Sequence, residues 1–294
     1  MATTSIEWTD RVWNPVTGCT KVSPGCKHCY AETIADRFWA TQYPPVSTNL
    51  SRNWRNMKPA SRPRRFTDVL AHEDRLLEPL SWRKPAKVFV NSMSDLFHED
   101  VPYEFIMRVW GTMHDTPRHS YQILTKRAER MADIVPRLVD GGFGVLPNVW
   151  LGVSVEDQPR ANERIPLLLQ TPAAVRFLSC EPLLAHLNVA QFISDKYISV
   201  GGRQWIGAGG IHWVIVGGES GPDARPCDLA WVRSIVAQCN TACVACFVKQ
   251  LGTRPIAGRM PHPDDMFIRL TSRKGGDPAE WPEDLRVREF PCVR

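Results

Sequence analysis

The residues best suited to chemistry lie in one short stretch, Gly18-Cys19-Thr20-Lys21-Val22-Ser23-Pro24-Gly25-Cys26-Lys27-His28-Cys29-Tyr30-Ala31-Glu32. Six residues separate Cys19 from Cys26, and two separate Cys26 from Cys29. Pro24 and Gly25 can turn this loop so that three thiols face one point. Three thiolates leave one iron of a four-iron cluster without a protein ligand, and such an iron can bind a small molecule directly. Zinc is the alternative, because three cysteines and a fourth ligand make a structural site. His28 lies between two of the cysteines and would strain the loop as that fourth ligand; a remote cysteine would serve instead.

The chain has nine cysteines. An odd count in a long chain argues against a disulfide framework and for metal binding by those that cluster. Cys239, Cys243 and Cys246 form a second group, with three and then two residues between them. Cys239 ends a predicted helix and Cys246 falls inside an apolar strand. These three read as mostly buried small residues. Cys180, Cys227 and Cys292 are isolated and read as structural.

Something must hold the cysteine loop. Short apolar, β-branched runs recur at Lys87–Asn91, Tyr121–Thr125, Val149–Val155, Val175–Ser179, His212–Val216 and Ala245–Lys249, at the spacing of βα units. Helical patterns lie between them, at Tyr103–Met113, Lys126–Val139, Gln158–Leu169 and Leu229–Asn240, the last with Asp228 as N-cap. A further strand is expected before Cys19. Such alternation predicts an α/β fold with a parallel sheet: a partial (β/α) barrel of six to seven strands, with a doubly wound open sheet as the alternative. Residues 1–251 are expected to form this one domain, with the cysteine loop at 18–30 and a basic insertion at 41–85. Residues 252–294 read as a C-terminal extension packed on the barrel.

The strand runs end in polar residues: Ser94 and Asp95, then Lys126 and Arg127, then Ser154, Glu156 and Asp157, then Glu181, then Gly217-Gly218-Glu219-Ser220-Gly221, and finally Lys249-Gln250. Ligand sites of parallel α/β folds lie at the carboxyl ends of strands, so these groups describe one rim.

Hydrophobic residues make up 43% of the chain and charged residues 23%, ordinary values for a globular protein. No apolar run approaches a membrane span, and the polar Met1–Asp10 segment lacks the apolar core of a signal peptide, so a cytoplasmic protein is expected. The net charge of +5 permits a nucleic-acid partner without demanding one. Within residues 52–66, Arg52, Trp54, Arg55, Lys58, Arg62, Arg64, Arg65 and Phe66 interleave basic and aromatic side chains, a composition suited to phosphate contacts and base stacking.

Several segments together resemble a known family. They are Ile6-Glu7-Trp8-Thr9, Trp13-Asn14-Pro15, the cysteine loop, Ser94-Asp95-Leu96-Phe97-His98, Leu124-Thr125-Lys126-Arg127, Trp150-Leu151-Gly152-Val153-Ser154, Ser179-Cys180-Glu181-Pro182-Leu183, Val216-Gly217-Gly218-Glu219-Ser220-Gly221 and Lys249-Gln250. The resemblance is to phage- and bacterium-encoded three-cysteine-motif proteins, a divergent branch similar to the radical S-adenosylmethionine (SAM) superfamily. It implies a [4Fe-4S] cluster on Cys19, Cys26 and Cys29, SAM on the open iron, and a 5′-deoxyadenosyl radical as the reactive species. Ser94, Ser154, Glu156, Glu181 and Glu219 would then meet the amino, ribose and adenine groups of SAM. Lys126, Arg127 and Lys249 would favour an anionic substrate or the SAM carboxylate in catalysis. The electron would come from a flavodoxin or ferredoxin. The superfamily usually places three residues between its first two cysteines, where this chain has six, and an aromatic residue where His28 stands. The rival expectation is a non-catalytic zinc or iron–sulfur protein that binds nucleic acid as an accessory.

Overall fold

The computed structural model describes residues 4, 6–43, 46–47, 61–193, 198–200, 203–205, 210–258 and 267–292. Seven strands form its one large sheet: β1 (Arg11–Trp13), β2 (Lys87–Val90), β3 (Ser120–Thr125), β4 (Val149–Ser154), β5 (Val175–Cys180), β6 (Trp213–Gly217) and β7 (Ala245–Gln250). Every neighbouring pair is parallel, and the strand order is the chain order. A doubly wound sheet would reverse that order at a switch point. One-way winding instead curls the sheet into a half-barrel.

Helices α1 (Tyr30–Gln42), α2 (Tyr103–Asp115), α3 (Ala128–Leu138), α4 (Gln158–Gln170) and α5 (Leu229–Ala242) join successive strands. Asp157 and Asp228 cap α4 and α5 by accepting from the Arg160 and Ala230 N–H groups. α1 follows the cysteine loop without a break: Cys29 is its N-cap, and Ala31, Ala35 and Trp39 face inward at helical spacing.

The strand period of two sorts residues between the two faces of the sheet. Val88, Val90, Tyr121, Ile123, Leu151, Val153, Leu178, Val214 and Val248 meet α2 to α5 in one continuous core. The opposite, enclosed face carries Phe89, Trp150, Phe177, Trp213 and Phe247, with Trp8 laid against Phe89 and Trp213 at ring separations of 4.7 and 6.0 Å. This aromatic layer fills the end of the half-barrel at the strand starts. Further along the same face stand Gly152, Ser154, Ser179 and Gly217, all small, together with Lys249. A side chain at Gly152 would meet the Phe177 ring at 2.5 Å. The half-barrel is therefore plugged at one end and lined by small groups at the other.

The insertion straps the loop to the barrel. Leu70–Ala71 pairs with Val16–Thr17, and the Cys19 N–H donates to the Phe66 carbonyl at 2.9 Å. The C-terminal extension covers the exposed side of β7: Val248 N–H donates to Val287 O, and Glu289 N–H donates to Cys246 O, each at 2.8 Å. Such pairing satisfies backbone groups that an edge strand would leave open. Among the described residues, no helix is long and apolar enough to cross a membrane.

Candidate functional site

The loop of residues 18–30 lies over the carboxyl rim of the sheet. Its entry is fixed by Gly18, which has a φ of 95° and where a Cβ would stand 2.5 Å from the Asp68 carbonyl oxygen, so no side chain fits. Cys19 and Cys29 pack beside Ala31, Ala35, Trp39 and Phe66, with Met93 closing the nest. All three loop cysteines are partly exposed, and none of the nine cysteines pairs in a disulfide. Burial, and then the Asp95 carboxylate, push the Cys19 thiol up to about 12 against the opposing pull of Arg127. A thiol of that kind ionises when a cation binds it. Cys19 and Cys29 stand in this apolar nest, Cys26 lies beside the Ser23 hydroxyl, and the loop carries no fourth cysteine. Among the described residues, no three His, Cys, Asp or Glu side chains converge on a single-ion site.

The polar groups expected at the rim all stand there, but most are already engaged. Arg127, at the end of β3, donates to Cys19 Sγ at 3.4 Å and to the Thr20 hydroxyl at 2.8 Å. Asp95 and Glu99 pair with its guanidinium at 3.3 and 2.9 Å. Burial would lower its pKa, but Asp95 and Cys19 raise it further than burial lowers it, so its charge is locked. Lys126 follows with its backbone N–H on Asp95 at 3.1 Å. The Ser94 hydroxyl donates to the Val16 carbonyl at 2.7 Å, so this residue ties the loop's entry to the strand-end turn after β2. Ser154 is buried and faces Ser179 across the β4–β5 ladder.

Glu156 is fully buried, with one oxygen on the Gly25 N–H at 3.0 Å and the other on Arg164 at 3.1 Å. Burial would raise its pKa, yet the Ser23 hydrogen bond, Lys126, Arg164 and the Gly25 amide together hold it below the usual carboxylate range. Glu219 is held by both arms of Arg225, at 2.9 and 2.6 Å. Its pKa is likewise lowered, against burial, by Arg225 and the nearby His28. Glu181 pairs with Lys249 at 2.7 Å near the mouth, and the Tyr30 hydroxyl donates to the Ser92 carbonyl beside it.

Three participants escaped the sequence reading: Arg164, Ser179 and Arg225. Arg164 is inside α4 and Arg225 is in the connection after β6, where a charge ordinarily reads as solvated. Only their partners reveal them. Ser179 was legible, since it stands two residues beyond Phe177 on a strand of period two.

Several expectations change. Arg64 does not face a ligand. It is 6% exposed, donates to the Thr17 carbonyl and hydroxyl, and stacks on Trp39 and Tyr43. A desolvated guanidinium between two rings is packing, not a phosphate contact. Phe66 is buried in the same nest, and Arg62 is paired with Asp68 at 2.6 Å. Arg65 remains exposed, and Arg52, Trp54, Arg55 and Lys58 lie outside the described residues. Among the remaining cysteines, Cys180, Cys227, Cys239 and Cys246 are buried, but Cys243 and Cys292 are exposed. Cys243 is turned out because it ends α5 in the left-handed conformation, φ 54°.

Residues 3–276 match the family described as "Protein of unknown function (DUF5131)". The chain belongs to the DUF5131 family. No curated protein and no solved structure matches it. The matched span contains the cysteine loop, all seven strands and every rim residue named above, so the site is part of the family's own domain.

Proposed function

We propose that this DUF5131 protein is a radical SAM-type iron–sulfur enzyme whose [4Fe-4S] cluster is held by Cys19, Cys26 and Cys29. One observation carries the reading: three unpaired, partly exposed cysteines sit on a single loop at the carboxyl rim of a parallel half-barrel whose other end is plugged. A bound cluster with SAM would supply one-electron cleavage of the sulfonium and a carbon radical able to abstract hydrogen from substrate.

The chain's own residues do the rest. Arg127 donates an N–H to the Cys19 sulfur and brings a fixed positive charge beside it, which favours the more negative, reduced state of whatever those thiolates bind. The nest of Ala31, Ala35, Trp39, Phe66 and Met93 keeps water from that side of the loop. Ser154, Ser179 and Gly217 line the rim end of the enclosed face with small groups, so a ligand reaching it would meet hydroxyls and backbone rather than bulky side chains. Lys249, held by Glu181, places an ammonium at this mouth for a carboxylate or another anion. The enzyme works in the cytoplasm, where nine free thiols stay reduced and a flavodoxin or ferredoxin supplies the electron.

The test is anaerobic purification with iron and sulfide analysis, followed by electron paramagnetic resonance with and without SAM, on wild type and Cys26→Ala. The expected result is about four irons per chain and a reduced-cluster signal that SAM perturbs and the variant loses. Stoichiometric zinc, or an iron signal indifferent to SAM, would make this a structural metal protein.

A further inference from the structure

The geometry points to Glu156 and Arg225 as positioning residues, a two-sided clamp that holds the Pro24–Gly25 turn between the first two cysteines rather than contacting a cofactor. The clamp is read from contacts already made by the chain; only the cargo of the loop rests on the function proposed above.

From one side, Glu156 at the end of β4 takes the Gly25 N–H at 3.0 Å. A Cβ on Gly25 would stand 2.9 Å from the Glu156 carboxyl carbon, so the glycine is what allows this approach. Glu156 is itself fixed: Arg164 is 2% exposed and binds both its carboxylate and the Ser154 carbonyl. From the other side, Arg225 Nη1 donates to the Pro24 carbonyl at 3.0 Å. Its Nε and Nη2 donate to Glu219, which also accepts from the Arg225 backbone N–H at 2.8 Å. The two grips fall on the two sides of one peptide unit, the Pro24 C=O and the Gly25 N–H. That unit opens the short 3-10 turn ending at Cys26.

The energetic logic follows from burial. Both carboxylates have their oxygens occupied, and Glu156 has no exposed surface to offer a ligand. Six residues between Cys19 and Cys26 make a longer loop than a tight metal turn needs, and a longer loop costs more ordering entropy to hold in one shape. Two charge-assisted hydrogen bonds, one from the end of β4 and one from an arginine braced by Glu219, offset that cost. Their effect is to fix where Cys26 Sγ stands relative to Cys19 and Cys29.

Hydrogen–deuterium exchange on the anaerobically purified full-length chain reads the clamp without reference to turnover. A peptide spanning residues 18–30 is the reporter, and peptides from β3 to β5 are the internal control. Arg225→Ala and Gly25→Ala should each speed loop exchange about tenfold with the controls unchanged. Arg225→Lys keeps the charge beside Glu219 but not the fork, so it should loosen the loop as the alanine does. Because Glu156→Ala strands a buried Arg164, the paired variant Glu156→Ala/Arg164→Leu carries the test on that side. In holoprotein, the same variants should shift the cluster's resonance lines and release iron to a chelator about tenfold faster. Loop exchange at the wild-type rate in both Arg225→Ala and Gly25→Ala overturns the clamp. A wild-type chain that holds no iron, but whose loop responds as expected, overturns the proposed function and leaves the clamp standing.

Discussion

Two segments carry three cysteines each at short spacing, and they lie at opposite ends of the barrel. Cys19, Cys26 and Cys29 follow β1, at the rim where strands end. Cys239, Cys243 and Cys246 span the turn from α5 into β7, where a strand begins. The rim group is partly exposed and meets Arg127 and Ser23, with the Asp95 charge acting on Cys19. In the other group, Cys239 and Cys246 are buried in the helix–sheet core near Cys180, and Cys243 points to solvent. A hydrogen bond with Cys239 and burial together push the Cys246 thiol far up, which keeps it neutral and inert. Spacing decides which thiols can meet, and the end of the barrel decides what they meet.

The sharpest way to break this comparison is to remove cysteines one at a time. On the function proposed above, Cys19→Ala, Cys26→Ala and Cys29→Ala should each lose nearly all bound iron. Cys239→Ala and Cys246→Ala should keep it and lose only about 1 kcal/mol of stability, as for other small buried deletions. Metal analysis and urea melts give both readouts, and an iron-free Cys246→Ala would erase the distinction.

Next in size is a pH effect on the strap beneath the rim loop. Burial, then the charges of Arg75 and Arg64, push the His72 pKa down to about 4, while its ring bonds the Thr17 hydroxyl at 2.7 Å. The folded chain therefore holds this imidazole neutral where the unfolded chain would protonate it. Stability should be level above about pH 6.5 and should fall by about 3 kcal/mol as the pH drops toward 4. His72→Gln should flatten that slope in denaturant melts recorded across the range. An unchanged slope would remove His72 as its source.

A smaller effect should appear at Arg127. Replacing it by Gln removes a positive charge and an N–H···S bond beside Cys19. The potential of the proposed cluster should fall by about 50 mV, measured by redox titration, and a rise would reverse the proposed role. The smallest effect belongs to the turn at the far end. Cys243 adopts φ 54°, where a side chain is strained, so Cys243→Gly should stabilise the chain by about 0.5 kcal/mol in thermal melts without changing iron content.

Much of the scaffold was legible in the sequence because buried parallel strands are apolar throughout. The six runs from Lys87 to Lys249 match strands to within a residue or two at each end. α1 could have been read as well, since Ala31, Ala35 and Trp39 keep a helical period. The rim was legible as a set of positions but not as roles. Glu156 and Glu219 look alike in sequence as free carboxylates at strand ends, whereas each is consumed by an arginine whose own position carries no signal. Arg64 was misjudged for the same reason: charge in a basic segment says nothing of which rings will cover it.

By itself, the sequence determined the parallel α/β framework, the placement of the polar groups at strand ends, and the clustering of three thiols on one loop. Each of these is local, set by periodicity or by separations of a few residues. Only the tertiary structure decided that the sheet winds one way into a half-barrel, that its lower end is filled by Trp8 and the aromatic layer, and that Glu156 and Arg225 grip opposite sides of one peptide. Those facts join distant residues, such as Arg225 and Pro24, 201 positions apart. A side chain's partner is chosen by how distant elements pack, and no local pattern records that choice.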